Sequence, residues 1–137
     1  MPASVLVDSG FLVALGVRRD PRHEAAVAWL AANHASLWIP APVIVESCFF
    51  LSVAAKSYLL AWARQHPARV LEVPAEAYPE IALTLEKYAD LDPDFTDAAL
   101  IWAAHNTGCR RILTVDRAVF EIYRLKGNKR FDLLPWC

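Results

Sequence analysis

Short apolar runs alternate along this chain with longer stretches in which apolar residues return every three or four positions. Val5-Leu6-Val7 is the first run. It meets Asp8-Ser9-Gly10, after which Phe11, Leu12, Ala14 and Leu15 take up helical spacing, so a buried strand feeds directly into a helix. Asp20-Pro21 reads as an N-cap followed by proline at the first helical position, opening a helix to about Asn33 with Ala26, Val27, Trp29 and Leu30 as its apolar stripe. Leu37-Trp38-Ile39 predicts a second strand, and Pro40 and Pro42 introduce a helix running through Glu46 to about Ala55. A further helix over about 57–65 is stopped by His66-Pro67. Residues 70–73 predict a third strand, and Pro74 leads into a helix lasting to about Tyr88. Asp90-Leu91-Asp92-Pro93-Asp94 is a turn crowded with helix starters. The next helix carries Ala98, Leu100, Ile101 and Ala104 and is capped by Thr107-Gly108. Residues 112–115 predict a fourth strand ending at Asp116. A short helix then bears Phe120, Ile122 and Tyr123, and Gly127-Asn128 turns the chain into a last strand near 131–134.

Strands that alternate with helices imply a parallel sheet covered on both faces: an α/β fold, in the form of a three-layer α/β/α sandwich with a mainly parallel central sheet. Its length of 137 residues fits a single domain over 1–137. Right-handed crossovers put the carboxyl ends of all parallel strands along one edge, where open α/β sheets bind ligands.

Composition narrows the class. An apolar fraction of 56% against 21% charged residues supports a packed core rather than disorder. No apolar run approaches the roughly 20 residues of a membrane span, and residues 1–20 lack the features of a signal peptide, so a cytoplasmic protein without a membrane partner is expected. Cys48, Cys109 and Cys137 are odd in number and widely spaced, which suits thiols in a reducing compartment better than disulfides or zinc. The net charge of −1 excludes a global electrostatic attractor for nucleic acid, but the distribution is polar. From Cys109 onward seven basic residues, Arg117 among them, face three acids, whereas eight acids between Glu72 and Asp97 face only Lys87. One surface can grip phosphates while acids elsewhere hold metal.

The topology brings four acids into play. Asp8 closes the first strand and Asp116 the fourth, so both lie on the carboxyl edge. Glu46 sits in a helix otherwise made of Val43, Ile44, Val45, Cys48, Phe49, Phe50 and Leu51, and should face a polar cavity because burying it bare is costly. Asp97 lies in the first turns of its helix, where the dipole favours its charge and Ala98, Ala99 and Leu100 then anchor the helix. Singly, each acid has an ordinary explanation as a cap or a surface residue. Gathered, they do not: two carboxylates about 4 Å apart repel by roughly 4 kcal/mol at an effective dielectric of 20, so such a cluster needs cations or protons. Oxygen-only ligands without histidine or cysteine argue for Mg²⁺ or Mn²⁺.

Four segments in order carry a resemblance. Val7-Asp8-Ser9-Gly10-Phe11-Leu12, Pro42-Val43-Ile44-Val45-Glu46, Asp94-Phe95-Thr96-Asp97-Ala98-Ala99-Leu100 and Leu113-Thr114-Val115-Asp116-Arg117 resemble the motifs of PIN domains, over about residues 5–134. The resemblance implies metal-binding acids at Asp8, Glu46, Asp97 and Asp116. It also implies a metal-dependent endoribonuclease, similar to the VapC-type toxins of bacterial toxin–antitoxin pairs, with RNA as substrate, a small antitoxin protein as partner, and a homodimer. In such toxins the helices between the first and third strands receive the antitoxin, although Trp29, Leu30, Leu59, Leu60 and Trp62 read first as core. Some members carry Ser or Thr two residues after the first aspartate, where this chain has Gly10. Ser9 and Arg117 are the candidate substrate contacts, and Asp94 is a companion or alternative to Asp97.

The expected chemistry is metal-assisted hydrolysis of a phosphodiester bond. No histidine is needed as general base, which suits the scatter of His23, His34, His66 and His105. A haloacid-dehalogenase-type phosphatase would need an aspartate at position 10, and a receiver domain an early acid pair; neither is present. The remaining alternative is a PIN-fold module that binds RNA or protein without catalysis.

Overall fold

The structure, a computed structural model, describes residues 3–65 and 68–137. Five parallel strands form the sheet: β1 (Ala3–Val7), β2 (Ala35–Pro40), β3 (Ala68–Leu71), β4 (Arg111–Leu113) and β5 (Asp132–Leu133), in the order β3-β2-β1-β4-β5. Successive strand residues point to opposite faces. Val5, Leu6 and Val7 of the central strand are all 0% exposed, so helices cover both faces. The seven helices are α1 (Ser9–Gly16), α2 (His23–Ala32), α3 (Ala41–Cys48), α4 (Val53–Ala63), α5 (Tyr78–Lys87), α6 (Phe95–Thr107) and α7 (Arg117–Ile122). None of these is long and apolar enough to cross a membrane.

The chain runs from β1 outward to β3 and then returns to lay β4 on the other side of β1, so the order reverses between β1 and β4. That reversal opens a crevice at the carboxyl edge. The returning segment includes α6, which packs on β1, β2, α3 and α5. Ala98 to Ala104 of α6 are buried, and Gly108 ends the helix at φ 75°, a left-handed geometry that suits glycine.

Several boundaries differ from those expected. The helix through Glu46 ends at Cys48 rather than near Ala55. Its last turn tightens, with the amides of Phe49, Phe50 and Leu51 bonding to carbonyls three residues back. Ser52 then starts α4, its hydroxyl accepting the Ala55 N–H at 3.2 Å. Asp20 caps a turn and not α2: its carboxylate accepts the Arg22 N–H at 2.8 Å and Pro21 precedes the helix, which begins at His23. The third strand lies at 68–71, and Pro74 introduces a short 3-10 turn, Ala75–Ala77, before α5. The fourth strand stops at Leu113, where the Asp116 N–H turns to the Thr114 side-chain oxygen at 3.0 Å instead of a strand partner. The last strand is shortened to Asp132–Leu133, and Ile122 of α7 is exposed. The expected helix stop at His66-Pro67 lies outside the described residues.

The expected core residues divide. Leu59 is buried, and Trp29, Leu30 and Trp62 pack against the core part-buried, but Leu60 is 52% exposed. Phe49 and Val53, exposed by 78% and 80%, lie at the α3–α4 turn, with Tyr58 also exposed on α4. All three cysteines are free, Cys48 and Cys109 half-buried and Cys137 exposed. Trp136 closes one end of the core, its ring edge-on to Phe11 with centroids 4.8 Å apart.

Candidate active site

Asp8 follows β1 directly and caps α1. Its backbone N–H bonds to the Leu113 carbonyl at 3.0 Å, tying it to the end of β4. The carboxylate is buried and accepts two hydrogen bonds, from the Ser9 N–H on Oδ1 and from the Thr114 hydroxyl on Oδ2, each at 2.8 Å. The Thr114 oxygen also accepts the Asp116 N–H at 3.0 Å, so one side chain fixes both the first acid and the backbone of the last. The Thr114 carbonyl in turn accepts the Trp136 indole N–H at 3.1 Å.

The Ser9 hydroxyl donates to Glu46 Oε1 and so joins α1 to α3. On α6, Asp94 is the N-cap, its Oδ1 accepting the Asp97 N–H at 2.9 Å. The Asp97 carboxylate turns to Tyr123, whose phenol donates to Oδ2 at 2.7 Å. Asp8, Glu46, Asp94, Asp97 and Asp116 therefore all line one cleft of about 440 Å³, together with Ser9, Gly10 and Tyr123. The strand order explains why remote residues meet: Asp8 and Asp116 flank the reversal point, and the turns of α3 and α6 converge on the same edge.

Burial is the main cause that pushes the Asp8 carboxyl up to about 6; the bonds from Thr114 and Ser9 oppose it, and Glu46 and Asp94 add repulsion. Burial likewise pushes Asp97 up to about 7, opposed by Tyr123 and reinforced by Asp94 and Asp8. The Tyr123 phenol is raised well above its ordinary range by burial, by its bond to Asp97 and by the facing carboxylates, so it stays a donor. Among the described residues the one ion pair is that of His105 with Glu80, 3.0 Å apart; Arg22 lines the cleft but makes no ion pair with its acids.

The acids of the cleft offer hard oxygen donors with no histidine or cysteine among them, and this chemistry fits Mg²⁺ or Mn²⁺. As placed, no three histidine, cysteine, aspartate or glutamate side chains among the described residues stand together as a ready-made ion cage. Three of the acids are instead held individually, each by one hydroxyl.

Of the two candidate substrate contacts, Ser9 is in the cleft but Arg117 is not among its lining residues: Arg117 is exposed and its guanidinium donates to the Leu134 carbonyl at 3.3 Å. Asp94 and Asp97 both line the cleft, Asp94 also capping the helix that carries Asp97. Glu46 faces the cleft as expected; of its apolar neighbours Val43 and Leu51 are buried and Ile44 and Cys48 pack on the core, whereas Val45, Phe49 and Phe50 are exposed. Tyr123 and Thr114 went unrecognised because an aromatic in an apolar helix and a threonine in a strand carry no sign of polar use. At Gly10, an added Cβ would come within 2.5 Å of a Val115 methyl, so this chain fills with valine the space that a side chain at position 10 would take. Gly10→Ala is expected to destabilise by about 1–3 kcal/mol through overpacking. Adding Val115→Ala should recover most of that loss in urea denaturation.

Among solved structures the chain is similar to Mycobacterium tuberculosis VapC20, described as a toxin that cleaves the sarcin–ricin loop. The match has a TM-score of 0.76 and 21% identity, covering 84% of this chain and 93% of that one. It is also similar to FitAcB from Neisseria gonorrhoeae, with a TM-score of 0.52 and 18% identity, covering 82% of this chain and 87% of that one. No curated protein sequence matches. The family model of the PIN domain matches residues 5–125, a span that holds every acid of the cleft, and the chain belongs to that family.

Proposed function

We propose that this protein is an endoribonuclease dependent on Mg²⁺ or Mn²⁺, acting as the toxin of a toxin–antitoxin pair. The observation that carries the nuclease reading is the convergence of Asp8, Glu46, Asp97 and Asp116 on one cleft, none of them in an ion pair. These four, with Asp94 beside Asp97, are the residues that would hold the ion. Once bound, the divalent ion supplies an activated water and stabilises charge on the phosphate and its leaving oxygen. Asp8, fixed by Thr114 and the Ser9 N–H, is the most rigidly oriented of the acids. Asp116 and Asp94 are the exposed acids among these five, open to a polynucleotide in solvent. Ser9 holds Glu46 and so shapes the wall of the cleft.

The toxin reading is supported by the likeness in fold to VapC20, a toxin. It is also supported by the exposed apolar strip of Phe49, Phe50 and Val53, of which Phe50 lines the cleft, because such a strip suits a small protein partner. A homodimer and a cytoplasmic location belong to the same reading.

The test is cleavage of a structured RNA by the purified protein. Cleavage is expected in Mg²⁺ or Mn²⁺, to stop on adding EDTA, to return with excess Mn²⁺, and to be lost in Asp97→Asn. Cleavage that persists in EDTA overturns the metal dependence. The alternative is a fold kept for binding RNA or protein without catalysis. Calorimetry showing no uptake of Mn²⁺ would select it.

A further inference from the structure

Among the described residues Tyr123 is the one aromatic hydroxyl bonded to an acid of the cleft, and its surroundings hold it still. The residue is fully buried. Its ring meets Tyr88 edge-on with centroids 4.9 Å apart, and Phe120 at 5.2 Å and 88°. Tyr88 is itself fixed, its hydroxyl accepting the Arg124 N–H at 2.8 Å. Tyr123 also ends α7, which hangs from Asp116, so the phenol spans from the last acid's helix to the first turn of α6.

Asp97 is the third residue of a helix whose N-cap is Asp94. An acid at that position ordinarily swings back toward the cap and satisfies its backbone N–H. Here one carboxylate oxygen is claimed by Tyr123 at 2.7 Å, which turns the group toward the cleft and leaves Oδ1 free of that bond. A phenol does this without cancelling the charge, as a lysine or arginine would.

We propose that Tyr123 is a positioning residue for the hydrolytic site, setting Asp97 in the orientation in which it binds a divalent cation. The inference rests on the metal-dependent reading above. A hydroxyl that orients a metal-binding carboxylate is worth about tenfold or more in metal affinity or activity.

The experiment is a calorimetric titration with Mn²⁺ alone of four proteins: wild type, Tyr123→Phe, Asp97→Asn and the double variant. Tyr123→Phe keeps the ring and its packing. It is expected to weaken Mn²⁺ binding about tenfold and to lower kcat on RNA while leaving KM within about twofold. In the Asp97→Asn background the same change should weaken binding no further, because the phenol acts through that carboxylate. Unchanged Mn²⁺ affinity in Tyr123→Phe overturns the proposal, as does equal weakening in both backgrounds. A wild type that takes up no Mn²⁺ overturns the nuclease reading and this inference with it, an outcome distinct from the other two. Should Tyr123→Phe not fold, the hydroxyl proton of Tyr123 in the wild type serves as the probe. Its NMR resonance is expected to shift as Mg²⁺ is added, and a resonance that does not move overturns the proposal.

Discussion

Asp8→Asn is expected to abolish cleavage of RNA and, in the same protein, to raise the melting temperature. The loss of activity should be roughly 10²–10³-fold or more, the scale of removing one preorganised electrostatic group. The gain in stability follows from burial. The Asp8 carboxyl is pushed up to about 6 from an ordinary value of 3.8, so the folded state holds its proton more tightly than the unfolded chain does. Below about pH 4 both states are protonated and the group does no harm. As pH rises from about 4 through about 6, the folded protein must carry a buried charge, and stability is lost by up to about 3 kcal/mol. Asparagine keeps the side-chain shape, can accept from Ser9 and can pair with the Thr114 hydroxyl, but carries no charge. Melts in EDTA at pH 7.5 should therefore place the variant higher by up to roughly 10 °C. The difference should close by about pH 4. Adding Mn²⁺ should raise the wild type and leave the variant where it was. A variant that melts below the wild type in EDTA at pH 7.5 would show that the carboxylate contributes structural bonds worth more than its burial costs.

Trp136→Ala should be the most destabilising single change outside the cleft, at about 3–5 kcal/mol. Residues near a chain end are usually tolerant of substitution, and this one lies beyond the span matched by the family model. The structure gives it another standing. Its indole is buried edge-on to Phe11, a fully buried residue of α1, and its N–H is donated to the carbonyl of Thr114. Removing it opens a cavity and leaves that carbonyl without its donor. The melting temperature should fall by roughly 10–20 °C. Trp136→Phe, which keeps a ring but not the donor, should lose far less. Because Thr114 also holds Asp8, Trp136→Ala should lower kcat even at temperatures where the protein is folded. A loss under about 1 kcal/mol in urea denaturation would contradict this account of the segment.

How much of this was legible in the sequence depended on whether position or partnership decided it. Asp8 and Asp116 were placed at the sheet edge by strand ends alone, and the parallel topology then brings them together whatever the side chains do. Asp97 was found because its charge precedes the small residues that seat α6 in the core. Glu46 is legible because a lone charge beside Val43, Ile44 and Leu51, which pack in the core, has to face a polar cavity; Phe49 and Phe50 of the same run, however, are exposed. Hydrophobicity alone does not separate a core stripe from an exposed apolar strip. The break at Ser52 and the early end of β4 at Leu113 are hidden for a related reason, since at both a backbone N–H bonds to a hydroxyl side chain in place of regular structure. Tyr123 was beyond reach, because only the packing of α7 against α6 brings its phenol to Asp97, 26 residues away.

The burial of α6 along most of its length has a consequence for ion choice on the proposed reading. Ala98, Ala99, Ala103 and Ala104 let this helix approach its neighbours closely, so its first turn cannot shift without disturbing the centre of the molecule. A site mounted on so stiff a support cannot dilate to suit a larger ion. Preference for a small cation over Ca²⁺ would then come from the rigidity of the scaffold, since carboxylates by themselves accept either.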